Sequence, residues 1–144
     1  HGYVRNASVQ NAYFQNTGDD VYAVWGGSLN PEDVIFKNCV AVDPGILRPG
    51  WYGNCVATYG LKATTFENTT CNAPTLANPI PQPQDKSIAV DTSMFVFYTS
   101  FGGSYPRENR ITIKGWTFAD LHGKSYTPEE GTFGVYSLGK MVWT

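Results

Sequence analysis

Four short runs of alternating apolar and polar residues recur along this chain, and each carries a small polar residue at the same place. They are "SVQNAYFQN", "VIFKNCVAV", "ATTFENTTC" and "ITIKGWTFAD". Aligned on the residue after the first apolar pair, Asn11, Asn38, Asn68 and Gly115 take equivalent positions. The first two intervals, about 27 and about 30 residues, lie in the range of structural repeats. Alternation of this kind marks half-buried strands, and apolar residues at helical spacing never persist beyond two turns. Helices are therefore expected to be short or absent.

A second set of runs lies between the first. "GDDVYAVWGG" matches "YGNCVATYGL" in residue type, pairing Val21 with Cys55, Ala23 with Ala57, Trp25 with Tyr59 and Gly26 with Gly60. Two interleaved strand families sharing one period are what a right-handed parallel β-helix produces. Each coil lays a strand on each of several sheets, and equivalent residues stack from coil to coil. Stacked asparagines can form an amide ladder, which accounts for the Asn11–Asn38–Asn68 register. A β-sandwich also spaces short strands closely, but paired, offset repeats favour the helix.

The third coil is interrupted by "TLANPIPQPQDK", too rich in proline to hold a sheet ladder. The stretch from about 75 to 86 reads as an excursion loop at the rim, after which the strands "SMFVFYTSF", "TFGVYSLG" and "KMVWT" follow. Residues 1–144 thus read as one partial domain of about four coils. The chain opens on "HGYVRN" and closes on the apolar "MVWT", neither resembling the cap a β-helix needs. A fragment of a longer helix is expected.

A net charge of −2 argues against nucleic-acid binding, which calls for a basic stripe. No apolar run is long enough to span a bilayer. Cys39, Cys55 and Cys71 are too widely spaced for a metal knuckle, so neither a metal nor another cofactor is expected. An odd count leaves at least one thiol outside any internal bridge. Two glycosylation sequons, "NAS" at Asn6 and "NTT" at Asn68, point towards an extracellular chain.

The stretch "NTGDDVYAVWGG" sets Asp19 against Asp20 just before an alternating run. Gly18 offers a bend, after which both carboxyls can serve one cleft. If Val21 and Ala23 point inward, Asp20, Tyr22 and Val24 face out, although Trp25 then lands on the inner side. Hydrolysis of a glycosidic bond needs two carboxyl groups in different protonation states. Repulsion between neighbours raises one pKa and keeps that group protonated. The same pair also occurs in ordinary turns.

Together with "GNCVATYGL" one coil later, "NTGDDVYAVWGG" resembles the pectin-lyase-like polysaccharide hydrolases, and most nearly glycoside hydrolase family 87, the α-1,3-glucanases and mycodextranases. The resemblance covers roughly residues 6 to 73. It implies inverting hydrolysis of a neutral α-glucan by a secreted monomer. Asp20 would be the general acid, with Asp19 supporting it or the nucleophilic water. The family's further aspartate, one coil earlier, has no counterpart here; Asp43 in "AVDPG" is the remaining carboxylate, unless it is only a turn residue before Pro44.

Sugar rings stack on aromatic faces, so Trp25, Trp51, Tyr52 and Tyr59 are candidate cleft walls, and Arg48 a candidate hydrogen-bond donor to sugar hydroxyls. Aromatic stacking inside the helix explains Trp25 and Tyr59 equally well. Two other functions remain open. A polygalacturonase-type hydrolase would need cations around the aspartates, and a non-catalytic polysaccharide-binding or cell-surface module would use them as turn residues.

Overall fold

The computed structural model describes residues 3–43, 54–72, 95–97, 99, 102–119, 125–126, 131–133 and 141–143. They contain strands, turns and bends only: the fold is all-β. The Pro-rich stretch at 75–86 lies outside the described residues.

The chain visits three sheets in rotation. The first holds β1 (Arg5–Gln10), β4 (Glu32–Lys37), β7 (Ala63–Glu67) and β10 (Arg110–Lys114), all parallel. The second holds β2 (Tyr13–Gln15), β5 (Val40–Val42), β8 (Thr70–Asn72) and β11 (Thr117–Ala119), also parallel. The third holds β3 (Tyr22–Trp25), β6 (Val56–Tyr59) and β9 (Phe95–Phe97). Each of the four alternating runs is a strand of the first sheet, a two-residue corner and a strand of the second.

The corners explain the polar register. Asn11, Asn38, Asn68 and Gly115 each follow a first-sheet strand with left-handed backbone, φ between 49° and 57°. Asparagine and glycine tolerate that conformation where most side chains clash. The Asn38 amide donates to Asn11 Oδ1 and the Asn68 amide to Asn38 Oδ1, each at 3.3 Å. The expected amide ladder is present. Its last member is glycine because a Cβ there would stand 2.2 Å from Asn68 Oδ1.

One residue past these positions, Cys39, Thr69 and Trp116 turn inward and are fully buried, and Ala12 packs partly buried against the same core. Residues from all three sheets share one core. In register across the first sheet, Val9, Phe36, Phe66 and Ile113 form a column, with Phe36 and Phe66 stacked at 5.5 Å. Tyr22 meets Phe14, Phe36, Phe66 and Trp116 edge-on and donates its hydroxyl to Thr70 O at 2.9 Å. Burial raises the Tyr22 phenol well above its ordinary pKa.

Two expectations are corrected. The inward set of β3 is Tyr22 and Val24, while Ala23 is exposed. Alternation starts at Tyr22, so Trp25 falls on the outer face and the difficulty of burying it disappears. The closing strands also do not continue the parallel stack. β12 (Ser125–Tyr126), β13 (Gly131–Phe133) and β14 (Met141–Trp143) run antiparallel to β11, β10 and β9 respectively. Met141–Trp143 is therefore hydrogen-bonded back onto the third sheet.

Cys55 and Cys71 form a disulfide, and Cys39 is a buried free thiol.

Candidate functional site

The passage from second to third sheet in the first circuit is the stretch 16–21, which carries both adjacent aspartates. Asn16 starts it with left-handed backbone, φ 52°, and its N–H donates to Val42 O. Asn16 thus supplies the bend; Gly18 is not in the left-handed region. Thr17 Oγ1 then donates to Asp19 O at 2.7 Å, and the Asp20 N–H donates to Asp19 Oδ1 at 2.9 Å. The Thr17 hydroxyl thus bridges the bend, and the exposed Asp19 carboxylate is engaged by the adjoining backbone.

Asp20 turns the other way, towards the next circuit. Val21 N–H donates to Asn54 O and Tyr22 N–H to Cys55 O, which sets Asp20 opposite Asn54. Asp20 Oδ1 accepts from the Asn54 backbone N–H at 2.8 Å and from its side-chain Nδ2 at 2.6 Å. Asp20 Oδ2 accepts from the Tyr59 hydroxyl at 2.7 Å. Burial raises the Asp20 pKa above the ordinary aspartate value; the Tyr59 and Asn54 hydrogen bonds oppose that rise, and the charge of Asp19 adds to it.

Trp25 and Tyr59 are register partners with ring centroids 5.7 Å apart. With Ala57 they form a small apolar cluster apart from the main core. Tyr59 is buried and Trp25 partly exposed, so Tyr59 meets Asp20 through its hydroxyl while Trp25 keeps an accessible flank.

The structure therefore brings together Asp19, Asp20, Trp25 and Tyr59. Asp43 is buried in a left-handed turn (φ 52°), its N–H donating to Asn72 O, and lies in register with Asn16. Arg48, Trp51 and Tyr52 lie outside the described residues. Asn54, which donates to Asp20 through both its backbone N–H and its side-chain amide, is the residue sequence reasoning missed. The signal was available, since pairing Val21 with Cys55 also pairs Asp20 with Asn54.

Among the described residues no three His, Cys, Asp or Glu side chains converge as metal ligands would. No helix among them is long and apolar enough to cross a membrane. No family model matches the chain, and no curated protein or solved structure matches it either.

Proposed function

We propose that the chain is a right-handed parallel β-helix segment of an extracellular, monomeric glycoside hydrolase acting on a neutral α-glucan, α-1,3-linked by preference. Asp20 is the general acid and Asp19 supports the attacking water. The observation that carries this reading is the unequal setting of two neighbouring carboxyls. Asp19 is exposed and bound to local backbone, whereas Asp20 is partly buried, has a raised pKa and is held by Asn54 and Tyr59. Acid/base hydrolysis needs a carboxyl whose proton persists beside one that stays available. The two side chains turn to different partners, which favours inversion, where water must fit between the groups. Trp25 offers the sugar a partly exposed aromatic flank. The described partners of Asp20, Asn54 and Tyr59, carry no positive charge to attract a polyanionic substrate.

A second reading has its own observation. Among the described residues, the three donors to Asp20 come from the neighbouring circuit, as they would in a structural clamp within a non-catalytic polysaccharide-binding module. Reducing-sugar release from α-1,3-glucan, nigeran, dextran and polygalacturonate, with Asp20→Asn alongside, separates the two. Release from one glucan, lost in a folded variant, supports the hydrolase. No release from any substrate, with glucan retention unchanged in the variant, supports the module.

A further inference from the structure

We propose that Tyr59 is a positioning residue whose hydroxyl bond makes Oδ2 the oxygen that carries the Asp20 proton. What this does for hydrolysis rests on the general-acid reading of Asp20; the place of the proton does not.

A carboxylate offers about four acceptor positions, two on each oxygen. Oδ1 of Asp20 accepts from the Asn54 backbone N–H at 2.8 Å and from Asn54 Nδ2 at 2.6 Å. Both of its positions are therefore taken, and the backbone donor is fixed by the register in which Val21 N–H donates to Asn54 O. Among the described residues Oδ2 accepts one bond, from the Tyr59 hydroxyl at 2.7 Å. A proton arriving at Oδ1 has to displace an Asn54 donor, which is costly to leave unpaired where water is partly excluded. A proton arriving at Oδ2 displaces none. The Tyr59 bond fills one position of that oxygen and leaves the proton the other.

Such an aim requires that the phenol be held still. Tyr59 ends β6 and is buried, its ring 5.7 Å from that of Trp25, its register partner. The glycine after each ring closes the arrangement. A Cβ on Gly26 would stand 2.8 Å from Gly60 O, and one on Gly60, whose φ is +93°, would stand 2.3 Å from Ser104 N. Backbone thus packs on backbone just beyond the two rings. In hydrolysis the Oδ2–H bond breaks as the proton passes to the leaving glycosidic oxygen. That oxygen's bond to the anomeric carbon breaks while water, giving its proton to the base, forms the new one. The Asp20 carboxylate that remains keeps its Asn54 and Tyr59 bonds.

The test follows the Asp20 carboxyl carbon of the full chain by NMR against pH, with the Asn54 amide protons observed alongside. Those protons should stay protected from exchange on both sides of the Asp20 midpoint. Loss of protection as Asp20 takes up its proton overturns the proposal, because the proton has then gone to Oδ1. Tyr59→Phe, which keeps the ring, should raise the midpoint, since the lost bond favoured the ionised form. A 3-fluorotyrosine placed at position 59 is a stronger donor and should lower it. An unmoved midpoint in either folded variant overturns the proposal, and the unaltered chain decides even if a variant does not fold. On the glucan the unaltered protein cleaves, Tyr59→Phe should lower kcat roughly 10- to 10²-fold, the scale of a misplaced reacting group, with KM little changed. The falling limb of its pH profile should move up with the midpoint. An unchanged kcat beside a shifted midpoint overturns the positioning role. No hydrolysis by the unaltered protein, with the NMR results as expected, removes the hydrolase reading and keeps the proton on Oδ2.

Discussion

The corner between the first and second sheets and the corner between the second and third obey different rules. The first is two residues long in every circuit: Asn11-Ala12, Asn38-Cys39, Asn68-Thr69 and Gly115-Trp116. A left-handed residue turns the chain, and the next side chain drops into the interior. The second joins strands separated in sequence by 6, then 13, then 22 residues. Constant length restricts the tight corner to asparagine or glycine at one position. Variable length frees the wide corner from the stacking repeat, and it is there that Asp19 and Asp20 lie. Under the proposed function, stability and chemistry fall at different edges of one stack, as where a rigid scaffold presents variable loops.

If that division holds, substitutions at the two corners should fail in different ways. The largest effect is expected at the wide corner. Asp20→Asn should lower glucan hydrolysis by roughly 10²- to 10⁴-fold, the usual contribution of a general acid, with little change in the urea midpoint, because a carboxamide oxygen still accepts from Asn54. Next comes the disulfide, which joins the end of the wide corner at Cys55 to β8 at Cys71 over a sequence separation of 16. Replacing both cysteines by serine should cost about 3 kcal/mol, the chain-entropy value for a loop of that size. It should also loosen Asn54, the neighbour of Cys55, so the Asp20 titration followed by NMR should move with it.

At the tight corner, Gly115→Ala should cost about 2–3 kcal/mol in urea unfolding. Left-handed backbone penalises alanine by about 1–2 kcal/mol, and the new Cβ displaces the Asn68 carboxamide. Specific activity per folded molecule should not change. A loss of activity at full stability would break the assignment of this corner to stability alone.

Acidity distinguishes the site from the outer face of the first sheet. Asp20 binds its proton more tightly folded than unfolded, because burial raises its pKa. Its contribution favours the fold at pH below the ordinary value of 3.8 and is lost as pH rises through the raised value. Glu32 and Glu67 behave oppositely: hydrogen bonds from Lys62 and Lys37 lower their pKa values, so their contributions hold above 4.5 and fade on acidification. Urea midpoints against pH should lose the falling limb in Asp20→Asn and part of the rising limb in Glu32→Gln.

How far all this was legible depends on whether a residue's role repeats from circuit to circuit. The asparagine column was readable because one backbone conformation recurs at one position, and the pairs Ala23–Ala57 and Trp25–Tyr59 because stacking keeps like residues in register. The inward set of β3 was misread because Ala23 is small enough for either face, and only the burial of Tyr22 beneath four aromatic rings decides it. The backbone register of Asp43 with Asn16 could not be counted from Asp20, because the stretch between second- and third-sheet strands differs in length between circuits. The reversal of β12–β14 has no residue signature, since alternation reads the same in either strand direction.

The smallest expected effect separates two reasons for asparagine at the tight corner. Asn38 has left-handed backbone, and its amide donates to Asn11 while accepting from Asn68. Alanine removes both advantages; glycine keeps the backbone and removes only the ladder. These amide contacts are exposed and 3.3 Å long, so each should be worth at most about 0.5 kcal/mol, the low end for hydrogen bonds that compete with water. Asn38→Ala should therefore lose about 1–2 kcal/mol, mostly from left-handed strain, and Asn38→Gly no more than about half of that. Equal losses in the two variants would place the weight on the ladder. The asparagine column would then act as a cooperative amide stack, and Gly115, which carries no amide, would mark where that stack ends.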